Sequence, residues 1–147
     1  MPKGKRPTPP PLRPLSPDTV TWAQTGLSSD SPYRRIGDTY YPTMYRAYIE
    51  EVIRLPAALT LTPIDMMFLV ALGGQLDLNS DATAARFRTD PAWKYALHVP
   101  LDYSGCSDDD LWRFIQRTEN PRVARFPFGM IIEMVRLAFL PPRAIAS

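Results

Sequence analysis

Thr62-Pro63-Ile64-Asp65-Met66-Met67-Phe68-Leu69-Val70-Ala71-Leu72-Gly73-Gly74 decides the fold of this chain. Both ends carry helix punctuation. Thr62 can cap the first turn, and Pro63 suits the first helical position, where its missing N–H has no intrahelical partner to lose. The paired glycines are a stop signal. Between them the side chains are apolar nearly all round, not along one stripe, which is the pattern of a helix buried on every side. Such a helix needs neighbours on all its faces, so it is expected to be the central core helix.

Working outward, the flanks repeat the same grammar. Before it, Met44, Ala47 and Tyr48, continued by Val52 and Leu55, fall at the three-and-four spacing of one helix face starting near Thr43, and Pro56 closes that helix. After it, Leu76–Asn79 is a short connection. Ser80 or Asn79 then caps a helix over 81–88, with Ala82, Ala85 and Phe87 facing inward. Asp90-Pro91 begins another short helix over 92–98, ended by Pro100. Ser107 caps a helix over 108–118, and Asp108, Asp109 and Asp110 occupy the first turn, where the helix dipole favours acids. Pro127 opens a last apolar helix over 128–140, ended by Pro141-Pro142. No segment alternates with period two and no solenoid-length repeat is present. The expected fold is all-α, a domain of about five or six helices over residues 33–142, with a five-residue tail at 143–147.

Composition bounds the remainder. Apolar residues make up 45% of the 147, enough to build a core. Prolines concentrate early, at Pro2, Pro7, Pro9, Pro10, Pro11, Pro14, Pro17, Pro32 and Pro42, so residues 1–32 are expected to be an extended, disordered leader. Net charge is only +2, but it is unevenly placed: residues 1–46 hold seven Lys/Arg against three Asp, 47–80 hold one Arg against four acids, and 81–147 hold nine Lys/Arg against eight acids. One cysteine, Cys106, leaves no intrachain disulfide and no multi-cysteine zinc site; one histidine, His98, argues against His-based metal sites and a Ser-His-Asp triad. No cofactor is expected. The N-terminus lacks a signal-peptide core, and the longest apolar run, Met66–Leu72, is too short to span a bilayer; the expected location is cytoplasmic, with no membrane partner.

Two basic groupings stand out. Arg86 and Arg88 lie on the helix after the core helix, an arrangement compatible with a helix-turn-helix or with an ordinary helical hairpin. Arg113, Arg117, Arg122 and Arg125 form the densest patch, with Arg113 and Arg117 four apart on one helix face. Arginines in this pattern suit phosphate contact; surface pairing with Asp108–Asp110 and Glu119 is the competing role. Lys94 and His98 are also four apart, either as exposed decoration or as a further contact. The three consecutive aspartates point about 100° apart around a helix, so they do not converge on a metal ion. Cys106 reads as a packing residue with no neighbouring base to activate it.

The stretch Asp90-Pro91-Ala92-Trp93-Lys94-Tyr95-Ala96-Leu97, followed by Pro100-Leu101-Asp102, Gly105 and a helix, resembles the N-terminal domain of bacterial insertion-sequence transposases of the InsH type. Ser80–Arg88 resembles that family's preceding helix, and the likeness covers roughly residues 44–120. Cys106 stands where the family has Phe, and Phe114-Ile115-Gln116-Arg117 lacks the first arginine of its Phe-Arg-x-Arg pattern. The resemblance implies DNA end recognition or transposase self-association. Strand cleavage in the family belongs to a downstream RNase H-like domain with three metal-holding carboxylates, for which the chain has no room, so catalysis is not expected. The expected function is a stand-alone or truncated DNA-binding module. Its candidate contacts are Arg86, Arg88, Lys94, Arg113, Arg117, Arg122 and Arg125, and its expected partners are duplex DNA, a second copy or full-length transposase. The alternative is an interaction protein whose apolar C-terminal helix docks a partner.

Overall fold

The core helix spans Pro63–Gln75 in a computed structural model that describes residues 11–52, 61–118 and 127–140. Thr62 caps it as expected and goes further. Its side chain accepts from the Asp65 N–H at 3.2 Å, while Asp65 Oδ2 accepts from the Thr62 N–H at 2.9 Å, a reciprocal capping box. Ile64, Met66, Met67, Phe68, Leu69, Ala71 and Leu72 are all buried, so the nearly all-round apolar pattern has the physical cause inferred for it.

Around this helix every other regular element among the described residues is helical, without a strand. In order, α1 is Pro17–Gly26, α2 is Pro32–Arg35, α3 is Tyr41–Val52, α4 is the core helix, α5 is Ser80–Thr89, α6 is Pro91–Ala96, α7 is Asp108–Thr118 and α8 is Phe128–Ala138. A π-helical turn, Ile36–Tyr40, joins α2 to α3 without a break. α4 packs against α3, α5, α7 and α8, and α5 also packs against α6 and α7. No described helix is long and apolar enough to cross a membrane.

The structure corrects several boundaries. The helix expected from Thr43 begins at Pro32, because Ser31 caps it and the π turn carries it through Gly37. Gly73-Gly74 does not stop α4, which continues to Gln75. Gly73 instead serves close packing: a Cβ there would lie 2.2 Å from Thr83 Oγ1. On α5 the inward residues are Thr83, Ala84 and Phe87, while Ala85 is exposed. The closures expected at Pro56 and at Pro141-Pro142 lie outside the described residues.

The leader expected over 1–32 is folded from residue 11 onward. Residues 1–10 lie outside the described part, but α1 packs on α6 and buries Thr19 and Ala23. Thr19 Oγ1 donates to the Val99 carbonyl at 2.9 Å, and Arg13 reaches the core. Proline content marked the segment as extended between residues 11 and 16. It said nothing about tertiary partners, and those partners hold the segment in place.

Candidate nucleic-acid interface

The interface expected from the sequence centres on α5 and α7. Four residues, Leu76–Asn79, connect α4 to α5, and Asn79 caps the new helix by accepting from the Ala82 N–H at 2.8 Å. The glycine-to-threonine contact of Gly73 with Thr83 seats α5 close on α4. Arg86 and Arg88 fall in the last turn of α5, where the helix dipole favours cations.

Both arginines already hold protein partners. Arg86 Nε donates to Asp90 Oδ2 at 2.6 Å, and its guanidinium lies 5.7 Å from the centre of the Trp93 ring. The bond to Asp90 raises its pKa, with burial opposing. Arg88 donates to the Cys106 carbonyl at 3.2 Å and lies 3.6 Å from Asp108 in the first turn of α7. One turn on, Arg113 pairs with Asp109 at 3.0 Å, both side chains being some two-thirds exposed. Asp108 and Asp109 thus divide between arginines of two helices, which is a second reason for two of the three acids at this helix start. Pairs this exposed contribute about 0–1 kcal/mol each and open readily.

The structure removes Lys94 from the surface. It is only 4% exposed, and its Nζ donates to the Leu101 carbonyl at 2.6 Å, tying α6 to the loop that follows. Burial lowers its pKa, with Asp102 and Asp18 acting against that shift. An ammonium spent inside the fold is not positioned to meet a phosphate. Arg117 belongs to α7, while Arg122 and Arg125 lie outside the described residues. Arg88 and Arg113 are therefore the candidates that the structure brings to neighbouring exposed ground, at Asp108 and Asp109, while Arg86 is exposed on the α6 side of α5, against Asp90 and Trp93.

Trp93, Tyr95, Gly105 and Cys106 are built into the packing of the fold. Trp93 is fully buried. The Tyr95 hydroxyl donates to Asp38 at 2.5 Å, and burial together with that bond pushes its pKa up to about 12. Gly105 adopts φ +81°, a backbone that a side chain would strain, and it sits against Arg88 Cγ. Cys106 is buried; burial, reinforced by Asp110, pushes its thiol up to about 11. It packs, as expected, and stays protonated at neutral pH.

His98 is not paired with Lys94 on an exposed face. Its ring is buried between two carbonyl oxygens: Nδ1 is 2.7 Å from Arg13 O, and Nε2 is 2.5 Å from Gly37 O. Its backbone is left-handed, φ +58°, the conformation that turns the chain out of α6. Beside it lies a cluster absent from the sequence reading. Asp65, with no exposed surface, accepts from Arg13 Nη2 at 3.1 Å and from the Tyr41 hydroxyl. Arg13 also donates to the carbonyls of Leu97 at 3.0 Å and His98 at 3.3 Å. Burial opposes the Arg13 charge, but Asp65 and Tyr41 raise its pKa on balance. Burial, helped by Asp65, holds the Tyr41 hydroxyl well above its ordinary pKa. One local signal existed: Asp65 is the lone acid in an apolar helix, three residues after a threonine cap. Nothing local to Arg13 marked it as the partner.

Among the described residues, no group of three His, Cys, Asp or Glu side chains is arranged to hold a metal ion. No protein-family model, no curated protein and no solved structure matches this chain.

Proposed function

We propose that the chain is a DNA-binding module of the transposase N-terminal type that carries no catalytic step of its own. Arg86 and Arg88 on α5 and Arg113 on α7 would meet duplex phosphate, with Arg117, Arg122 and Arg125 as further contacts along the chain. The observation that carries this is the joining of α4 to a capped α5 by four residues, with the exposed basic end of α5 beside the start of α7. The resemblance of residues 80–105 to that transposase domain supports the same reading. Arg88 and Arg113 would exchange exposed aspartates for phosphate and Arg86 would leave the part-buried Asp90, which keeps the expected affinity modest.

Salt titration of duplex binding tests it. The slope of log affinity against log salt should flatten by about 0.9 for each arginine that touches phosphate when Arg86, Arg88, Arg113 and Arg117 are changed to Gln. Lys94→Gln should lower stability and leave the slope alone. An unchanged slope in a folded four-arginine variant would overturn the proposal, and magnesium-dependent nicking by purified protein would overturn its non-catalytic part.

A second reading rests on a different observation. α8 buries Phe128, Ile131, Val135 and Ala138 but leaves Met130 37% and Ile132 45% exposed, and Trp112 on α7 is 48% exposed. These side chains favour an association surface. Concentration-dependent sedimentation without duplex affinity would select that reading.

A further inference from the structure

We propose that Asp65, Tyr41 and the carbonyls of Leu97 and His98 form a receptor for a guanidinium group, filled in cis by Arg13, and that it also accepts Arg13 of a second copy by segment exchange. Asp65 lies at 0% exposure on the central helix, and a buried carboxylate of this kind requires a cationic or hydrogen-bonding partner. Its two oxygens are shared among Arg13, Tyr41 and the Thr62 N–H, and the two carbonyls take further N–H groups of the same guanidinium. These acceptors take the Nε and Nη2 edge of one planar guanidinium, with the arginine side chain left 30% exposed.

The ligand and the receptor belong to separable parts of the chain. Arg13 sits on a non-helical segment, residues 11–16, where Pro14 keeps its predecessor extended. The receptor is built from α3, α4 and the end of α6, with more than twenty residues between Arg13 and its nearest element. The segment also leaves room beside itself. A cavity of about 440 Å³ runs between Leu12, Arg13 and Leu15 on one side and Asp38, Pro42 and Arg46 on the other. Every copy carries the same ligand and the same receptor, which is the condition for exchange between identical chains. In the isolated chain the resident segment wins through its effective concentration, which is of millimolar order for a short tether.

The test uses the full chain carrying Arg13→Ala and a fluorescent peptide of residues 9–18. The peptide should bind this variant and bind the wild type at least about ten-fold more weakly, because the wild-type receptor is occupied. A peptide with Ala in place of Arg13 should not bind, and adding Asp65→Asn to the variant should abolish binding. Ethylguanidinium should raise the melting temperature of Arg13→Ala above a matched sodium chloride control and leave the wild type unmoved. If Arg13→Ala is unfolded, recovery of its helical signal on adding the peptide supports the proposal, and failure to recover overturns it. A folded variant that binds neither peptide nor ethylguanidinium, or that binds both peptides equally, also overturns it. For exchange itself, two differently tagged wild-type populations mixed at high concentration should co-purify, and the Arg13→Ala population should not pair with itself; co-purification that persists between Arg13→Ala chains overturns the trans step.

Discussion

Gly73→Ala is the sharpest probe of how α5 is seated. A Cβ at position 73 would lie 2.2 Å from Thr83 Oγ1, 3.0 Å from Thr83 Cγ2 and 3.2 Å from Thr83 Cβ. Carbon and oxygen atoms in contact rest at about 3.3–3.6 Å, so the first contact is about 1 Å too short. Thr83 is 3% exposed and has no long flexible end to swing away, so α5 must shift or the threonine must leave its rotamer. Overpacking of this kind costs about 1–3 kcal/mol. Alanine regains up to about 1 kcal/mol of helix propensity over glycine, and less in the last turn. The net expectation is a loss of about 1–2 kcal/mol, or roughly 2–8 °C in melting temperature for a domain of this size. Urea unfolding followed by circular dichroism reads it. Two controls isolate the cause. Gly74 has nothing within 4 Å of a built Cβ, so Gly74→Ala should be neutral or stabilising. Thr83→Ala removes both of the closest atoms, so the double variant should be markedly more stable than the sum of its singles, with a coupling above about 1 kcal/mol. A Gly73→Ala variant as stable as the wild type, or an additive double variant, would refute the close-packing explanation.

Arg13→Ala should destabilise the fold by about 3 kcal/mol, near the lower end for a broken buried pair because the arginine side chain is 30% exposed. In a double-mutant cycle with Asp65→Asn the losses should fall short of additive, and equal stability of Arg13→Ala and wild type would sink this account. Cys106 sets an alkaline limit. Its folded pKa of about 11 lies above the ordinary value of 9, so its contribution, roughly 2–3 kcal/mol, is fully present below pH 9 and is lost as pH rises through 11. Tyr41 and Tyr95 are shifted in the same direction and add to that decline. Alkylation of Cys106 in folded protein should be slow at pH 8, and Cys106→Ala should soften the alkaline loss of stability; rapid labelling at pH 8 would show that the thiol is not buried.

The helices were legible because their signals are local. Thr62-Pro63, Asn79-Ser80, Asp90-Pro91 and Ser107 mark starts through bonds made within one turn, and the all-apolar face of α4 states its own burial. The all-α class follows from those residues alone. The π turn at Ile36–Tyr40 and the run of α4 through Gly73 and Gly74 were not legible, since both answer to neighbours distant in sequence: Tyr95 and His98 for the first, Thr83 for the second.

The candidate interface shows the same division. Sequence placed Arg86, Arg88 and Arg113 on helices correctly, because helical position depends on spacing. It could not say that Lys94 turns inward to the Leu101 carbonyl, or that His98 is enclosed by Arg13 and Gly37, because burial of a polar group depends on acceptors supplied by other elements. The segment around Arg13 is the extreme case. Its prolines determine an extended backbone, and only the tertiary structure supplies the buried carboxylate, 52 residues away, that turns this stretch into part of the core.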